Sequence, residues 1–227
     1  MMKDAFFGFE EDCLICPVSP WTEERARQSE ILERFSFCTV LNGVNTDIFR
    51  RKARKPEQSQ ILNVTAHFSP EKNHPKGGWY LLRLAERMPD VTFLVAGHAD
   101  PVGQIPENVK LLGVIRDQSE LAELYGSSRL SVLTSRRETF SMPCAESLCC
   151  GTPVVGFRAG APEQIAMAEY SEFAEFGDLD SLEEMIRRWL NRADVDPQAV
   201  EREARKRYSV ETMVQNFMEI YGRLLWN

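Results

Sequence analysis

Two kinds of segment alternate along this chain. Short runs of β-branched or apolar residues fall at 38–41, 60–66, 91–96, 109–112, 130–133 and 152–157. Between most of them, apolar residues recur with helical spacing. Trp79, Leu82, Ala85 and Met88 mark one such face, with the charged Glu86 at its edge, and Leu121, Leu124 and Tyr125 mark another after Asp117, whose spacing to Glu120 is that of a capping box. The strand-like runs are apolar throughout rather than alternating, as strands covered on both faces are. Strand–helix repetition of this kind predicts an α/β fold with a doubly wound parallel sheet of Rossmann-like type. Such sheets take ligands in the crevice beyond the carboxyl ends of their strands, so chemistry is sought there.

The ends of the chain read differently. Residues 20–34 predict an acidic-then-basic helix after Pro20. The stretch 50–59 is charged and rich in breakers, which marks a connector. Its five basic residues are of a kind that can make peripheral contact with an anionic membrane, although a solvated connector is the preferred reading. Further on, Leu182, Met185, Ile186, Trp189 and Leu190 predict an amphipathic helix opened by a capping box from Ser181 to Glu184. A last helix is predicted over 209–225, with an apolar stripe from Val210 to Leu225 wide enough to want a partner surface.

Charge and cysteine usage narrow the function. The net charge of -7, from 27 Lys+Arg against 34 Asp+Glu, argues against nucleic acid as a partner, because a grip on that backbone needs a basic surface. No apolar run approaches the ~20 residues that span a bilayer. The run Ala5-Phe6-Phe7-Gly8-Phe9 is too short for a signal peptide and leads into Glu10, Glu11 and Asp12, so a cytoplasmic location is expected. Cys13-Leu14-Ile15-Cys16 has the spacing of half a zinc site or a redox pair. With no second such pair to complete it, small buried hydrophobes are the preferred reading, and the six cysteines are expected to be reduced.

The most informative stretch runs from Glu138 to Phe157. A strand leads into a loop, Pro143 stands where a helix would begin, and Gly151 stands where it would end. Loop amides and a helix start make an anion site by geometry alone. Glu138 opens the loop, and Glu146 is expected in the first turn of the helix. Near phosphates a carboxylate is tolerable only where it meets donors, and ligand hydroxyls are natural donors. The pattern suggests a phosphorylated, hydroxyl-rich ligand.

These residues resemble a known family. Glu138 and Glu146 match the E-x7-E motif of retaining GT-B glycosyltransferases of the family 4 type, also called glycosyl transferases group 1. Glu146-Ser-Leu-Cys-Cys-Gly-Thr-Pro-Val-Val is similar to that family's E-A-x-A-C-G-x-P-V-V. Asn42-Gly43-Val44-Asn45-Thr46-Asp47-Ile48-Phe49 resembles its N-G-V-D-x-x-x-F signature at the crossing between domains. Ser69-Pro70-Glu71-Lys72-Asn73-His74-Pro75-Lys76-Gly77 resembles its phosphate-contacting loop, and Gly160-Ala161-Pro162-Glu163 its G-G-x-P-E turn. The ordered set covers residues 38 to about 170.

The resemblance implies a donor-binding half of a transferase that moves a sugar from a nucleotide sugar (UDP-, GDP- or ADP-) to a glycan or lipid acceptor. It implies catalytic roles for Lys76, on the donor diphosphate, and Glu138, on the sugar hydroxyls. Backbone amides of Phe140, Ser141 and Met142 would hold sugar and phosphate, Glu146 the ribose, and Lys72 further phosphate charge. Val114 and Ile115 would lie near the base. No metal or other cofactor is expected, since fixed cations and amide dipoles can stabilise the leaving diphosphate.

Two departures stand out. Thr65-Ala66-His67-Phe68 lacks the arginine common there, and Thr139 and Ser141 replace frequent glycines. The three histidines, His67, His74 and His98, are read as incidental. By this resemblance residues 1–37 are a remnant of an acceptor domain, 38–190 the Rossmann-like nucleotide-sugar domain, and 191–227 helices that pack toward the missing domain. Such a unit is expected to be inactive or weakly active alone. The alternative is a non-catalytic interaction module with a vestigial site.

Overall fold

The computed structural model describes residues 13–52, 56–101 and 103–226. The apolar run at 5–9 and the central connector residues Ala53, Arg54 and Lys55 lie outside the described residues. In chain order the elements are β1 (Leu14–Ile15), α1 (Pro20–Arg27), β2 (Ser36–Phe37), β3 (Glu57–Phe68), α2 (Gly78–Arg87), β4 (Thr92–Ala99), β5 (Val109–Gly113) and α3 (Gln118–Ser127). They continue with β6 (Ser128–Leu133), α4 (Met142–Cys149), β7 (Val154–Phe157), α5 (Pro162–Ile165), β8 (Ser171–Ala174), α6 (Leu179–Asn191), α7 (Pro197–Tyr208) and α8 (Val210–Trp226).

The apolar runs from residue 60 onward become one six-stranded, all-parallel sheet with the order β5-β4-β3-β6-β7-β8. Ile61, Leu62, Leu130, Val132, Val154 and Val155 are fully buried in its centre. At about 1.5–3 kcal/mol for each large apolar side chain removed from water, these positions dominate the sheet's stability. Helices α2 and α6 pack together on one face, while α3, α4 and α7 pack together on the other. Winding starts at β3, runs outward to β5, then returns to β6 and runs the other way. The reversal therefore lies between β3 and β6, and a ligand crevice is expected at their carboxyl ends.

Several local expectations are corrected. The run at 38–41 is not a strand; β2 ends at Phe37 and pairs in parallel with β1 in a separate two-stranded sheet. The last residues of the expected connector, 57–59, belong to β3, which begins at Glu57. Helix α1 stops at Arg27 instead of running to 34. Asp178, rather than Ser181, caps α6, because its carboxylate reaches the Ser181 N–H. Asp117 caps α3 through the Ser119 N–H, without a reciprocal bond from Glu120. Strand β8 and helix α7 carry periodicity too short or too charged to read in the sequence, yet α7 buries Val200, Ala204 and Tyr208. On α8, Ile220 is buried, while Val214, Met218, Tyr221, Leu224 and Leu225 are exposed.

One glycine governs how closely β3 and β4 approach at the ligand edge. Gly97 has φ of 146°, and a Cβ there would lie 1.8 Å from the Thr65 carbonyl oxygen. Gly97→Ala must push the strands apart and strain the backbone. It should cost at least about 2 kcal/mol, read as a lowered urea midpoint with an unchanged slope.

Candidate active site

Two clefts open at the carboxyl edge of the sheet. The first is lined by Val64, Thr65, Ala66, Ala96, Gly97, His98, Val114, Ile115 and Leu121, across the ends of β3, β4 and β5. It is largely apolar, and it contains both loop residues expected near a base, Val114 and Ile115. The second sits at the reversal of winding, between β3 and β6. Its walls include Asn63, Lys76, Thr134, Ser135, Glu138, Ser141 and Pro143. Thr65 and Ala66 line both clefts, so the two are neighbours along one edge.

Lys76 and Glu138 meet in the second cleft. The Lys76 ammonium donates to Glu138 Oε1 at 2.7 Å, with both side chains half-buried. Their loops are tied at the backbone as well. The Thr134 hydroxyl donates to the Lys76 carbonyl, and the Arg136 N–H donates to the Pro75 carbonyl. Gly77 has φ of 69°, and a Cβ there would meet the Thr134 carbonyl oxygen at 2.0 Å. The glycine after the lysine is therefore required by this close approach.

Glu138 is held from the other side by the turn at 159–161. The Glu138 N–H donates to the Ala159 carbonyl, and the Ala161 N–H donates to the Glu138 carbonyl. The Glu163 carboxylate accepts from the Ala159 and Gly160 N–H groups and fixes that turn. The amino-terminal segment adds a third support. Ser19 Oγ donates to the Thr139 carbonyl at 2.6 Å, and the Trp21 ring lies where a Gly160 Cβ would project.

Helix α4 starts at the second cleft with Ser141 as its N-cap, at φ 76° and ψ 81°. Among the described residues it is the non-glycine residue with positive φ. The turn demands a left-handed backbone, and here serine adopts it under strain. The N–H groups of Phe140, Ser141 and Met142 donate to no other described residue. Together with the helix start they are available donors for an anion. Ser141 lines the cleft, while the Phe140 side chain is buried in the core and Met142 packs against it.

Glu146 lies one turn further into α4 than the sequence suggested, and its side chain lines neither cleft. It is half-buried, and its Oε2 accepts from the Tyr125 hydroxyl at 3.1 Å. Burial pushes its carboxyl above the ordinary carboxylate range, and the Tyr125 bond partly opposes that. Burial, then the Glu146 charge, raises the Tyr125 phenol well above its own range, so it remains a donor. Phe49 packs edge-on against the Tyr125 ring at 6.3 Å, which links the 42–49 motif to Glu146. The two carboxylates thus do not wait free for ligand hydroxyls: each has a protein donor. Lys72 points elsewhere, its ammonium 5.1 Å from the centre of the Trp79 ring, and it lines neither cleft.

A profile of the family described as "Glycosyl transferases group 1" matches residues 45–207. The chain belongs to that family. It is 28% identical over 189 residues to an MMP alpha-(1->4)-mannosyltransferase of Mycolicibacterium hassiacum, a match covering 75% of this chain and 44% of the relative. It is 28% identical over 150 residues to a GDP-mannose-dependent alpha-(1-6)-phosphatidylinositol dimannoside mannosyltransferase of Mycobacterium tuberculosis, covering 60% of this chain and 39% of that one. The chain therefore spans less than half the length of these curated relatives. Among solved structures, sucrose-phosphate synthase of Thermosynechococcus elongatus aligns with TM-score 0.77 at 20% identity, over 93% of this chain and 58% of that one. Anabaena HepE, solved with UDP, aligns with TM-score 0.73 at 18% identity, over 92% and 64%. The sheet is the Rossmann-like half of a GT-B fold.

Sequence reasoning missed some site residues. Thr134 and Ser135 enter the second cleft only because they follow the last residue of β6, a position that strand boundaries could have flagged. The three histidines, read as incidental, gather at this same edge: the His74 and His98 rings each stand 5.0 Å from His67, whose Nε2 is 2.7 Å from the Asp100 carboxylate. Cys144, Cys149 and Cys150 are free and buried, and burial holds the first two thiols up to about 12, which makes them packing groups rather than nucleophiles. No described helix is long and apolar enough to cross a membrane.

The strained N-cap yields a direct test. Ser141→Gly should stabilise the protein by about 1 kcal/mol by releasing the left-handed strain, whereas Ser141→Val should cost more than about 2 kcal/mol. Thermal midpoints of the two variants beside the parent measure both.

Proposed function

We propose that the two clefts form the donor site of a retaining glycosyltransferase, with the nucleoside in the first and the diphosphate-sugar in the second. The observation that carries this reading is the Lys76–Glu138 pair beside the unpaired amides at 140–142. An ion pair this accessible is worth about 1 kcal/mol or less. A diphosphate can therefore take over the ammonium, which frees the Glu138 carboxylate to accept from sugar hydroxyls.

In the reaction, the bond between the anomeric carbon and the diphosphate oxygen breaks. An acceptor hydroxyl oxygen bonds to the same carbon, and its proton leaves with the diphosphate. Lys76 and the amides of Phe140, Ser141 and Met142 stabilise the negative charge that develops on the leaving group. Ser141 and Thr134 line the sugar end. Glu146, steadied by Tyr125, accepts from the ribose hydroxyls as they approach α4. Val114 and Ile115 flank the base. The relatives' names specify α-linked mannosyl products, which an α-linked donor gives with retention, so GDP-mannose is the first donor to test.

The acceptor, a glycan or lipid, is assigned to a further Rossmann-like domain. By itself this chain is then expected to bind donor but turn it over poorly. The rival reading, an interaction module, draws on the exposed apolar side chains of α8. A thermal-shift series with UDP-, GDP- and ADP-sugars separates the two, because a ligand of the folded state raises the midpoint by mass action. A midpoint unmoved by every donor would remove the transferase reading.

Glu146→Ala removes charge-assisted hydrogen bonds worth about 1.5–3 kcal/mol. Nucleotide affinity should fall by roughly 10- to 150-fold in calorimetry.

The raised Glu146 carboxyl gives a pH test as well. Only the carboxylate is a full acceptor, so affinity should fade with acidification earlier than for an ordinary glutamate. Tyr125→Phe removes the bond that lowers this group, so the fading should begin at still higher pH. Folding stability moves oppositely: the burial penalty falls on the ionised form and is relieved as pH drops through the raised value. Affinity that is flat with pH in both proteins would contradict the role of Glu146.

A further inference from the structure

We propose that His67, His98 and Asp100 form a binding site for a divalent transition-metal ion of the zinc class, at the carboxyl ends of β3 and β4. This site is separate from the Lys76–Glu138 pair and does not depend on the donor reading.

The site is built by register. In the parallel pairing of β3 with β4, His67 stands directly opposite His98, after a register shift that follows Val64. Asp100 comes two residues after His98, hence on the same side of the strand's course, and its N–H is tied to the Phe68 carbonyl. One ligand atom from each of His67, His98 and Asp100 lies within 4.8 Å of the others, and His67 Nε2 is 2.7 Å from Asp100 Oδ1. The His98 ring stands edge-on to His67 at 5.0 Å between centroids. His74, from the loop before α2, brings its ring to 5.0 Å from His67 as well. The chain has three histidines, and all of them converge here.

Two imidazoles and one carboxylate make a ligand set suited to zinc and its neighbours, at bond lengths of about 2.0–2.2 Å. Donor atoms around such an ion stand about 3.4 Å apart. Small side-chain rotations therefore have to widen the 2.7 Å contact between His67 and Asp100 and bring the wider separations, all within 4.8 Å, inward. The His67 and Asp100 side chains are 39% and 37% exposed, which leaves an open path for an ion. The buried Ser69 hydroxyl lies beside Asp100, where ligating carboxylates generally carry a supporting contact. His74 or water would supply the fourth position.

The test uses the full chain, stripped with a chelator and titrated with Zn2+ alone in a calorimeter. One saturable site is expected. His98→Ala should weaken it by more than the roughly 10- to 100-fold that losing a supporting contact costs, with the circular dichroism spectrum unchanged. Because cysteines also bind zinc, Co2+ is added to the natural chain in parallel. A visible d–d spectrum without a thiolate charge-transfer band, together with paramagnetic broadening of the imidazole resonances, supports the site even should the variant fold poorly. Absence of saturable Zn2+ binding, a thiolate band, or unchanged binding in folded His98→Ala would overturn it.

Discussion

The Lys76–Glu138 ion pair joins two loops that leave the sheet on either side of the point where its winding reverses. At that point no crossover helix fills the space above the strand ends, so a crevice is unavoidable. The pair gives it a cation and an anion already matched to each other. Paired, the two charges keep the cleft polar without an uncompensated ion. In the proposed function a phosphate displaces this bond. One exchange would then load the cation with phosphate and release the anion for hydroxyls.

The rest of the edge is arranged to keep that pair in position. Glu163 fixes the turn at 159–161, the turn bridges to Glu138, and Trp21 and Ser19 press on the same loops from the amino-terminal segment. Gly77 allows the lysine loop to touch the β6 end, where a larger residue would collide with a carbonyl. Ser141 shows the cost of the arrangement: its backbone is left-handed without the freedom of glycine. Strain of this kind persists only where surrounding contacts impose it, and here it turns three successive N–H groups away from protein acceptors.

Polarity changes along the edge. The cleft between β3, β4 and β5 is apolar, with the histidine cluster and Asp100 at its rim, while the cleft at the reversal is charged. Glu146 stands behind both, its carboxyl raised by burial and steadied by Tyr125, which Phe49 packs against in turn. The motif at 42–49 therefore bears on the site through an aromatic contact, although none of its residues lines a cleft.

Much was already legible in the residues. Apolar runs buried on both faces require a parallel sheet, and alternation with amphipathic helices requires a doubly wound one; that logic is local and needs no coordinates. The loop-and-helix start at 138–146, the Lys76–Gly77 step and the family itself were readable for the same reason, since each is a short contiguous pattern. Where reading failed, the deciding contact was distant. Residues 38–41 look like a strand, but the partner strand that would complete them pairs at 36–37. Ser181 resembles a cap, yet Asp178 reaches the exposed amide first. Glu138 meets Lys76 from a loop 62 residues away, a contact that no local pattern displays. The histidines look incidental along the chain because His67 and His98 become neighbours only through the pairing of β3 with β4. Sequence determines what each segment can do, through its period and its local chemistry. Which charges meet is decided by the sheet, because strand order and register alone bring separated side chains within bonding distance.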